Sequence, residues 1–430
     1  MVKKRLSPTR MIVIGFAAVI IIGTLLLLLP ISHKNGVNVS FIDALFTSTS
    51  AVCVTGLLVV DSADTFSTFG QIVLAILIQV GGLGITSLGV GLITLAGKKV
   101  NVRERLLVKE ALNYPTFSGV VGLIRSVMIV TFSIEFIGML LSFIVFSQDY
   151  PFFKALGISA FHSIASFNNA GFDILGGMTS LTLYADDVLL NITTCMLIIS
   201  GGIGFFAITD VLTKRSFKKF SLQTKLVLIV TVTLLLLGTL LLKLTNSDMT
   251  WLESFFLSTS ARTAGFSTYQ MSKLTNAGLI ITILLMIIGA SPGSTGGGIK
   301  TTTAFVILKS LLSTSTNKQP IAFRKRIPRE TIDKAFFVAI FALILITLVS
   351  FLLCILEPSI RFSDAVFEAA SAFATVGLST GITPALSPLS KILVIITMFI
   401  GRLGPLTMAT IWVYNPKRDI SYPPGTIAVG

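Results

Sequence analysis

Long apolar stretches alternate with short polar connections along the whole of this 430-residue chain. A helix that crosses a membrane needs about 20 predominantly apolar residues. The stretches that reach this length are residues 11–30, 70–96, 119–146, 188–212, 224–244, 276–310, 335–356 and 390–414. The pattern therefore predicts an all-α, polytopic membrane protein with eight transmembrane helices, the first a retained helix rather than a cleaved signal peptide.

Composition excludes several other classes of protein. Apolar residues make up 53% of the chain and charged residues only 12%, whereas soluble domains carry roughly 25% charged residues. A soluble domain, a disordered chain and a collagen-like chain are all incompatible with these values. Cys53, Cys195 and Cys354 lack paired spacing, so neither a disulfide framework nor redox chemistry is expected.

The basic residues predict which ends of the helices face the cytoplasm. Lysine and arginine number 33 against 19 acidic residues, and the net charge is +14. Of the basic residues, 24 lie in the N-terminal arm, in the connections 98–125, 214–225 and 309–334, and after the last apolar stretch. Loops rich in Lys and Arg stay on the cytoplasmic side, so both termini are expected there. Nucleic-acid binding is disfavoured because the charges are divided among short connections.

Four connections between apolar stretches share one pattern. Each ends in a glycine followed by Leu or Phe, and these glycines are Gly56, Gly171, Gly265 and Gly377. They are separated by 115, 94 and 112 residues, as in an internal repeat. A Ser-Thr-Ser-Ala run in the third copy lies one residue nearer to its glycine than in the first. The register before Gly265 is therefore less secure than in the other copies.

A second glycine-rich signature lies on the apolar stretch that follows each of these segments. It begins at Gly81, Gly201, Gly289 and Gly401, which lie 25, 30, 24 and 24 residues after the preceding repeat glycine. Two signatures that keep a similar phase predict four related units. Their expected boundaries are 1–97, 98–213, 214–312 and 313–430, the last including the C-terminal tail.

The repeated segments are too short to span a membrane, but they are long enough to enter it and return. Such re-entrant backbone is tolerated only inside protein or beside water, which four copies around one axis would provide. We predict caps at the starts of three short helices, at Ser40 before Asp43, Thr250 before Glu253, and Ser363 beside Asp364. The negative C-terminal ends of these helices would then face a cation at mid-membrane.

The four repeat glycines predict an ion filter. Glycine permits the backbone conformation that exposes carbonyl oxygens and lets four chains approach closely, and rings of carbonyls replace the hydration shell of K⁺ in potassium filters. The alternative is that these glycines only permit close helix packing. Four glycines in phase favour a filter around a central pseudo-fourfold pore.

The segments that end Val54-Thr55-Gly56-Leu57, Asn168-Asn169-Ala170-Gly171-Phe172, Arg262-Thr263-Ala264-Gly265-Phe266 and Ala374-Thr375-Val376-Gly377-Leu378 resemble the four pore loops of the Trk/Ktr/HKT superfamily of potassium and sodium transporters. The resemblance covers nearly the whole chain and is closest to the membrane subunit of bacterial Ktr potassium uptake systems. It implies four helix–pore-loop–helix units and potassium uptake across the bacterial cell membrane. In some plant members a serine at the first filter position accompanies sodium selectivity, so Gly56 favours K⁺.

The resemblance also implies a site and partners. K⁺ is expected at backbone carbonyls of the filter, with no covalently bound cofactor. A homodimer on a cytosolic RCK-type ring is expected, and the ring rather than this chain would bind a nucleotide. The expected filter residues are Val54, Thr55, Gly56, Asn169, Ala170, Gly171, Thr263, Ala264, Gly265, Thr375, Val376 and Gly377.

Five glycines and a proline between residues 289 and 298 predict a break in the sixth apolar stretch. Small flexible residues below a filter can form a movable plug, and the segment resembles the family's intramembrane gating loop. A packing kink without gating is the alternative, whereas a phosphate loop is excluded because Ile299 separates Gly298 from Lys300. The expected gate residues are Gly289, Ala290, Ser291, Pro292, Gly293, Ser294, Thr295, Gly296, Gly297, Gly298, Lys300 and Arg402.

Arg402 lies within an apolar run, where a charged side chain is costly and by default functional. It is expected to raise an electrostatic barrier below the filter or to contact the gate, while snorkelling at a helix end is the alternative. Glu135 is expected to face protein and His162 to be structural. The acids after the first two filter segments, Asp61, Asp64 and Asp173, could concentrate cations, although solvated loop carboxylates are the simpler interpretation.

The sequence therefore predicts a non-enzymatic, channel-like pathway for potassium. A sodium-preferring or non-selective cation pathway is the main alternative, and a secondary transporter driven by coupled ions also remains open because broken helices are common in that class. A membrane enzyme acting on lipids is disfavoured, since the chain has only two histidines and no cluster of acids within its apolar stretches.

Overall fold

A computed structural model describes residues 8–95, 101–111, 120–405 and 407–408. Lys98, Lys99 and the predicted C-terminal tail lie outside these residues, as does the arm before Pro8. The described chain is mostly helical. Its helices are α1 (Pro8–Leu27), α2 (Phe41–Val52), α3 (Ser62–Thr65), α4 (Thr68–Leu83), α5 (Ile85–Leu95), α6 (Val102–Ala111), α7 (Val120–Asp149), α8 (Phe152–Phe167), α9 (Val188–Ile203), α10 (Phe205–Lys214), α11 (Leu222–Thr245), α12 (Trp251–Ser260), α13 (Asn276–Ile287), α14 (Thr301–Ser315), α15 (Arg329–Leu356), α16 (Phe362–Ala374) and α17 (Pro388–Leu403).

Four helices, α1, α7, α11 and α15, are long and apolar enough to cross a membrane without interruption. They coincide with the first, third, fifth and seventh apolar stretches. Large apolar side chains remain exposed along them, including Leu25 at 57% and Leu343 at 67%. Apolar area of this extent on the outside of the fold is what a lipid environment requires.

Three of the remaining apolar stretches are broken by a glycine, which corrects the prediction of continuous helices over 70–96, 188–212 and 390–414. α4, α9 and α17 end immediately before Gly84, Gly204 and Gly404, whose φ angles are 78°, 94° and 86°. This conformation is open to glycine but strained for other residues. Across the break at Gly204, α9 and α10 meet at 96°.

The sixth stretch is interrupted as predicted. α13 ends at Ile287 and α14 begins at Thr301. Between them, Ile288 and Ile299 form an isolated parallel bridge, so the intervening chain leaves and re-enters at nearly the same level. After α14, a two-stranded antiparallel hairpin, β1 (Ile321–Ala322) and β2 (Lys325–Arg326), leads into α15.

The short helices α2, α8, α12 and α16 lie inside the fold and end near its centre. Two of the three predicted caps are confirmed: the Asp43 amide donates to Ser40 Oγ at 3.1 Å, and Thr250 with Glu253 forms a reciprocal capping box. The cap at Ser363 is wrong, because α16 already begins at Phe362 and its N-cap residue, Arg361, makes no side-chain cap.

A glycine–serine contact joins three of the short helices to the long helix that precedes them. Glycines of α1, α7 and α11 leave room for a serine of the following short helix, and the serine hydroxyl donates to a carbonyl three residues before the glycine. Loss of side-chain bulk thus permits close approach of the two helices. The contacts are Ser48 to Ile20 at 2.8 Å beside Gly23, Ser163 to Glu135 at 2.6 Å beside Gly138, and Ser258 to Leu235 at 3.0 Å beside Gly238.

Candidate ion pathway

The four repeat glycines form a closed ring at the centre of the fold. A β-carbon on Gly56 would lie 3.0 Å from Cα of Gly171, and one on Gly171 would lie 3.0 Å from Cα of Gly265. The same position on Gly265 is 3.1 Å from Cα of Gly377, and that on Gly377 is 2.9 Å from Cα of Gly56. Each glycine therefore faces the next, and no side chain can be added to any of them without displacing backbone.

The backbone is alike in all four loops. Each repeat glycine has a positive φ, between 66° at Gly171 and 95° at Gly56 and Gly377. The residue two positions before each glycine is also left-handed, although it carries a side chain and is therefore strained. These residues and their φ angles are Val54 at 51°, Asn169 at 57°, Thr263 at 82° and Thr375 at 52°.

The register of the third loop is settled by its hydrogen bonds. In the other three loops the residue before the glycine donates its amide hydrogen to the carbonyl five residues earlier, as Thr55 does to Ser50 at 2.8 Å. In the third loop Ala264 donates to Ser260, only four residues earlier, also at 2.8 Å. The turn after α12 is thus one residue shorter, and Gly265 still takes its place in the ring.

The ring exposes carbonyl oxygens toward neighbouring loops. The atom nearest to the β-position of each glycine is a carbonyl oxygen of the next loop, from Thr55, Ala170, Ala264 or Val376. The side chains of these four residues are fully buried. Carbonyls held in this way, with the C-terminal ends of four short helices behind them, can replace water around a cation.

A cavity of about 270 Å³ opens on one side of the ring, which we call the outer vestibule. Its lining includes the residue two positions after each glycine: Leu58, Asp173, Ser267 and Ser379. Asp173 is the one carboxylate among these four, and burial raises its pKa to about 6, an effect to which Asp61 adds. The vestibule is therefore asymmetric, although the ring beneath it is not.

Asp61 and Asp64 have structural contacts instead of lining the vestibule. Asp61 caps α3 and accepts the Met178 amide hydrogen at 2.7 Å. Asp64 accepts the Gly177 amide hydrogen at 3.1 Å. Together the two carboxylates fix the loop that follows the second filter segment.

The glycine-rich segment 288–300 lies directly beneath the ring. Its Gly297 amide donates to Thr375 Oγ1 at 3.0 Å, and Thr295 Oγ1 donates to the carbonyl of Phe167 at 3.4 Å. A β-carbon on Gly296 would collide with Thr263. The segment thus touches three of the four loops, and its glycines are required by that proximity.

A second cavity, of about 280 Å³, lies on the far side of this segment and is lined by Gly293, Gly296, Lys300 and Arg402, among others. The segment separates this inner cavity from the ring. Its conformation is held by the amide of Ser291, which donates to Gly202 O at 3.0 Å, and by Lys300 Nζ, which donates to Gly296 O at 2.7 Å.

Arg402 joins the segment to another part of the fold. Its guanidinium donates to the carbonyl of Thr295 in the segment and to the carbonyls of Gly81 and Gly82 at the end of α4, the last at 3.3 Å. The alternative of snorkelling is excluded by these contacts. The predicted contact between Arg402 and the glycine-rich segment is confirmed, although nothing in the local sequence identified its partners on α4.

Buried polar groups support the loops from behind. Asn168 Nδ2 donates to Gln79 Oε1 at 2.8 Å and to Glu135 Oε1 at 3.1 Å, so Glu135 faces protein as predicted. His162 Nε2 lies 2.9 Å from Thr194 Oγ1, which fits a structural histidine. Within the described ranges, no three His, Cys, Asp or Glu side chains are grouped so as to hold a metal ion.

Sequence reasoning missed Glu368. This carboxylate of α16 is fully buried and accepts hydrogen bonds from Ser379 Oγ, at 2.9 Å, and from Thr383 Oγ1. It thereby fixes the chain that leaves the fourth filter segment. The available indication was an acid in the middle of a short helix that, apart from Asp364 in its first turn, is built of Ala, Phe, Val and Ser.

A ring of carbonyls between two cavities, enclosed by apolar helices, defines a membrane protein that conducts a cation. The family model for TrkH, described as a cation transport protein, matches residues 6–420. The chain belongs to this family.

Relatives and a solved structure agree with this membership. The chain is 41% identical over 439 residues to Ktr system potassium uptake protein B of Bacillus subtilis, covering 99% of this chain and 97% of that one. It is 36% identical over 446 residues to the potassium/sodium uptake protein NtpJ of Enterococcus hirae, covering 100% and 98%. The crystal structure of the potassium transporter TrkH from Vibrio parahaemolyticus matches with a TM-score of 0.74 at 17% identity, covering 96% and 86%, which shows the same fold.

Proposed function

We propose that the protein takes up potassium through a channel-like pore. The closed ring of Gly56, Gly171, Gly265 and Gly377 carries this proposal, because each of its four segments brings a backbone carbonyl oxygen against the glycine of a neighbouring segment. The relatives named for potassium uptake support it. Backbone carbonyls of the predicted filter residues would replace the hydration water of K⁺. These residues are at positions 54–56, 169–171, 263–265 and 375–377.

The four units of the chain, 1–97, 98–213, 214–312 and 313–430, would each supply a helix, a pore loop and a second helix. In this arrangement the unbroken helices α1, α7, α11 and α15 are the first helices, and the glycine-broken stretches are the second. Eight membrane crossings place both termini on one side. The positive-inside bias of the basic connections makes that side the cytoplasm.

The segment 288–300 would act as the gate. It occupies the space between the ring and the inner cavity, and hydrogen bonds from Arg402 to Thr295 and from Ser291 to Gly202 hold it there. Ions would pass when the segment moves aside, and the positive charge of Arg402 would slow them until then. Glycines in this segment permit the rearrangement because they restrict the backbone least.

Regulation would come from outside the chain. A relative is named as part of a Ktr system, which supports a partner subunit for this protein. We expect a homodimer on a cytosolic RCK-type ring, which would bind the regulatory nucleotide and act on the gate.

Growth of a potassium-uptake-deficient bacterium tests the proposal. The chain, expressed with a cytosolic Ktr-type subunit, should restore growth at limiting K⁺ and should restore it less well alone. Gly265→Ala should abolish growth, because the added methyl group would collide with the Val376 carbonyl. Gly36→Ala is the matched control, since Gly36 also has a positive φ, 82°, but has open space around it. Failure of the wild-type chain to restore growth, despite membrane expression, would overturn the proposal.

A sodium-accepting pathway is the second candidate, favoured by the relative that is named for both potassium and sodium. Competition of Na⁺ against radioactive Rb⁺ uptake distinguishes the two. Inhibition only at a large excess of Na⁺ supports the potassium pathway.

A further inference from the structure

A groove lies on the outside of the fold where α14 ends and the β1–β2 hairpin begins. Its volume is about 490 Å³. It is lined by Lys309, Leu312, Ser313, Thr316, Lys318, Gln319 and Ile321. The groove shares no lining residue with either cavity of the ion pathway, so the mechanism of transport leaves it unexplained.

Among the described residues, the groove carries positive charge without a counter-charge. Lys309 and Lys318 contribute two ammonium groups, and the lining contains no carboxylate. Neither lysine forms an ion pair with an acid in the described part of the chain. The hydroxyls of Ser313 and Thr316 and the amide of Gln319 complete a polar lining suited to an anion with several oxygen atoms.

An apolar surface leads into the groove from one side. Leu308, Leu311 and Leu312 of α14 are exposed at 59%, 55% and 54%, and Ile321 of β1 is exposed at 48%. α14 starts within the apolar stretch 276–310 and continues just beyond it, so in a membrane protein its exposed leucines face acyl chains near the edge of the bilayer. The groove therefore joins a lipid-facing strip to a pair of lysines at the level where the apolar stretch ends.

We propose that the groove binds the headgroup of an anionic phospholipid, with its acyl chains along the leucines of α14. Basic pockets next to transmembrane helices select such headgroups, and each Lys near an anionic surface contributes about 1 kcal/mol. An acidic peptide would match the lysines but would leave the adjoining leucines uncovered. A phospholipid matches both parts.

The lipid would act on the gate through α14. This helix starts at Thr301, directly after the glycine-rich segment, and Thr301 Oγ1 lies 3.0 Å from Ser291 Oγ within that segment. A headgroup that fixes the C-terminal end of α14 would therefore limit how the segment moves. This regulatory step rests on the proposed gating function, whereas the binding site does not.

Lipid binding by the purified full-length protein tests the site directly. Phosphatidylglycerol is titrated against the detergent-solubilised protein, and retained lipid is counted by native mass spectrometry, with phosphatidylcholine as the neutral comparison. Lys309→Gln combined with Lys318→Gln should weaken phosphatidylglycerol binding by about tenfold or more. Lys218→Gln combined with Lys219→Gln is the matched control: it removes the same charge from another basic connection, and binding should be unchanged. Replacing both groove lysines with arginine should preserve binding.

The regulatory step is measured as Rb⁺ uptake into vesicles of phosphatidylcholine with and without phosphatidylglycerol. Uptake by the wild-type protein should depend on the anionic lipid, and the dependence should be lost in the glutamine pair. Equal loss of lipid binding in both glutamine pairs would show a bulk charge effect and overturn the site, as would full competition by inorganic phosphate. Specific binding with lipid-independent uptake would overturn only the regulatory step, while absence of Rb⁺ uptake in any lipid would contradict the proposed transport function instead.

Discussion

The ring and the layer beneath it are built from the chain in opposite ways. In the ring, Gly56, Gly171, Gly265 and Gly377 take nearly equivalent positions, and the third loop shortens its turn to stay in register. Beneath the ring, the equivalence ends: the segment 288–300 follows the third repeat glycine, and the arginine that holds it follows the fourth.

The difference follows from what each layer has to do. A filter replaces a nearly spherical hydration shell, so equivalent carbonyls on all sides suit it. A gate must have two arrangements, and a single flexible segment has fewer contacts to break than four identical ones would have. If the ring filters and the segment gates as proposed, symmetry and its loss both serve transport, and substitutions in the two layers should have different consequences.

The largest effect is expected in the ring. Gly56→Ser adds a side chain at φ 95°, where its β-carbon would lie 2.5 Å from the Ala170 carbonyl oxygen. Backbone strain of this kind costs about 1–3 kcal/mol, so the ring must widen or shift. The preference for K⁺ over Na⁺, measured by Na⁺ competition against Rb⁺ uptake, should fall by about tenfold or more.

Gly381→Ser is the control for this prediction. Gly381 also has a positive φ, 100°, and follows a filter segment, but a side chain there meets open space. Its ion preference should match that of the wild type. An unchanged preference in Gly56→Ser would show that the ring does not select the ion.

A smaller effect, and one without a change in selectivity, is expected in the layer beneath. Arg402→Ala removes the hydrogen bonds to Thr295, Gly81 and Gly82 together with a positive charge. Because charge-assisted hydrogen bonds contribute about 1.5–3 kcal/mol each, the segment should open more often and Rb⁺ uptake should rise by about tenfold. The Na⁺ competition should stay as in the wild type.

Arg402→Lys separates charge from geometry, since lysine keeps the positive charge but lacks the planar fork with which the guanidinium bonds carbonyls of two different segments. The Rb⁺ uptake rate of Arg402→Lys should lie between those of the wild type and Arg402→Ala. Arg329→Ala, at the exposed start of α15, is the control and should leave uptake unchanged. Wild-type kinetics in Arg402→Ala would contradict a gating role.

Local sequence patterns were sufficient to predict the ring of glycines but not the helix ends within the apolar stretches around it. The positive φ of the four glycines and the interruption after Ile287 follow from glycine spacing and from glycine and proline density. The ends of α4 and α9 at Gly84 and Gly204 were missed, because hydropathy continues through them. A single glycine in an apolar stretch does not reveal its φ, which depends on the neighbouring helices.

Contacts between distant parts of the chain could not be predicted from the sequence either. The partners of Arg402 lie more than a hundred residues away along the sequence, and the serine bonds beside Gly23, Gly138 and Gly238 require knowledge of helix packing. Glu368 was overlooked for the same reason: the hydroxyl groups that satisfy it come from the chain after the fourth filter segment. These contacts depend on how the helices pack, whereas the spacing of the repeat glycines can be read directly from the sequence.

The smallest predicted effect lies in the outer vestibule, where the fourfold equivalence first breaks. Asp173 is the one carboxylate among the positions that follow the ring by two residues, and burial raises its pKa to about 6. Asp61 acts on it as a second negative charge, and Tyr269, the other titratable side chain of the lining, stays neutral because its pKa is raised above its ordinary value. Asp173 should therefore attract cations when ionised and lose this effect as the pH falls through about 6.

Asp173→Asn tests this expectation. At low external K⁺ and neutral pH, the variant should take up Rb⁺ about threefold to tenfold more slowly than the wild type, because one charge near the pore mouth contributes on the order of 1 kcal/mol. The difference should vanish at pH 5, where both side chains are neutral.

A raised carboxyl pKa means that folding favours the neutral form, so the stability gained at acidic pH is lost as the pH rises through about 6. The variant should accordingly melt at a higher temperature than the wild type at pH 7. Asp186→Asn, an exposed carboxylate in the connection leading to α9, should change neither quantity, and a wild-type pH profile in Asp173→Asn would show that the vestibule charge plays no part in ion uptake.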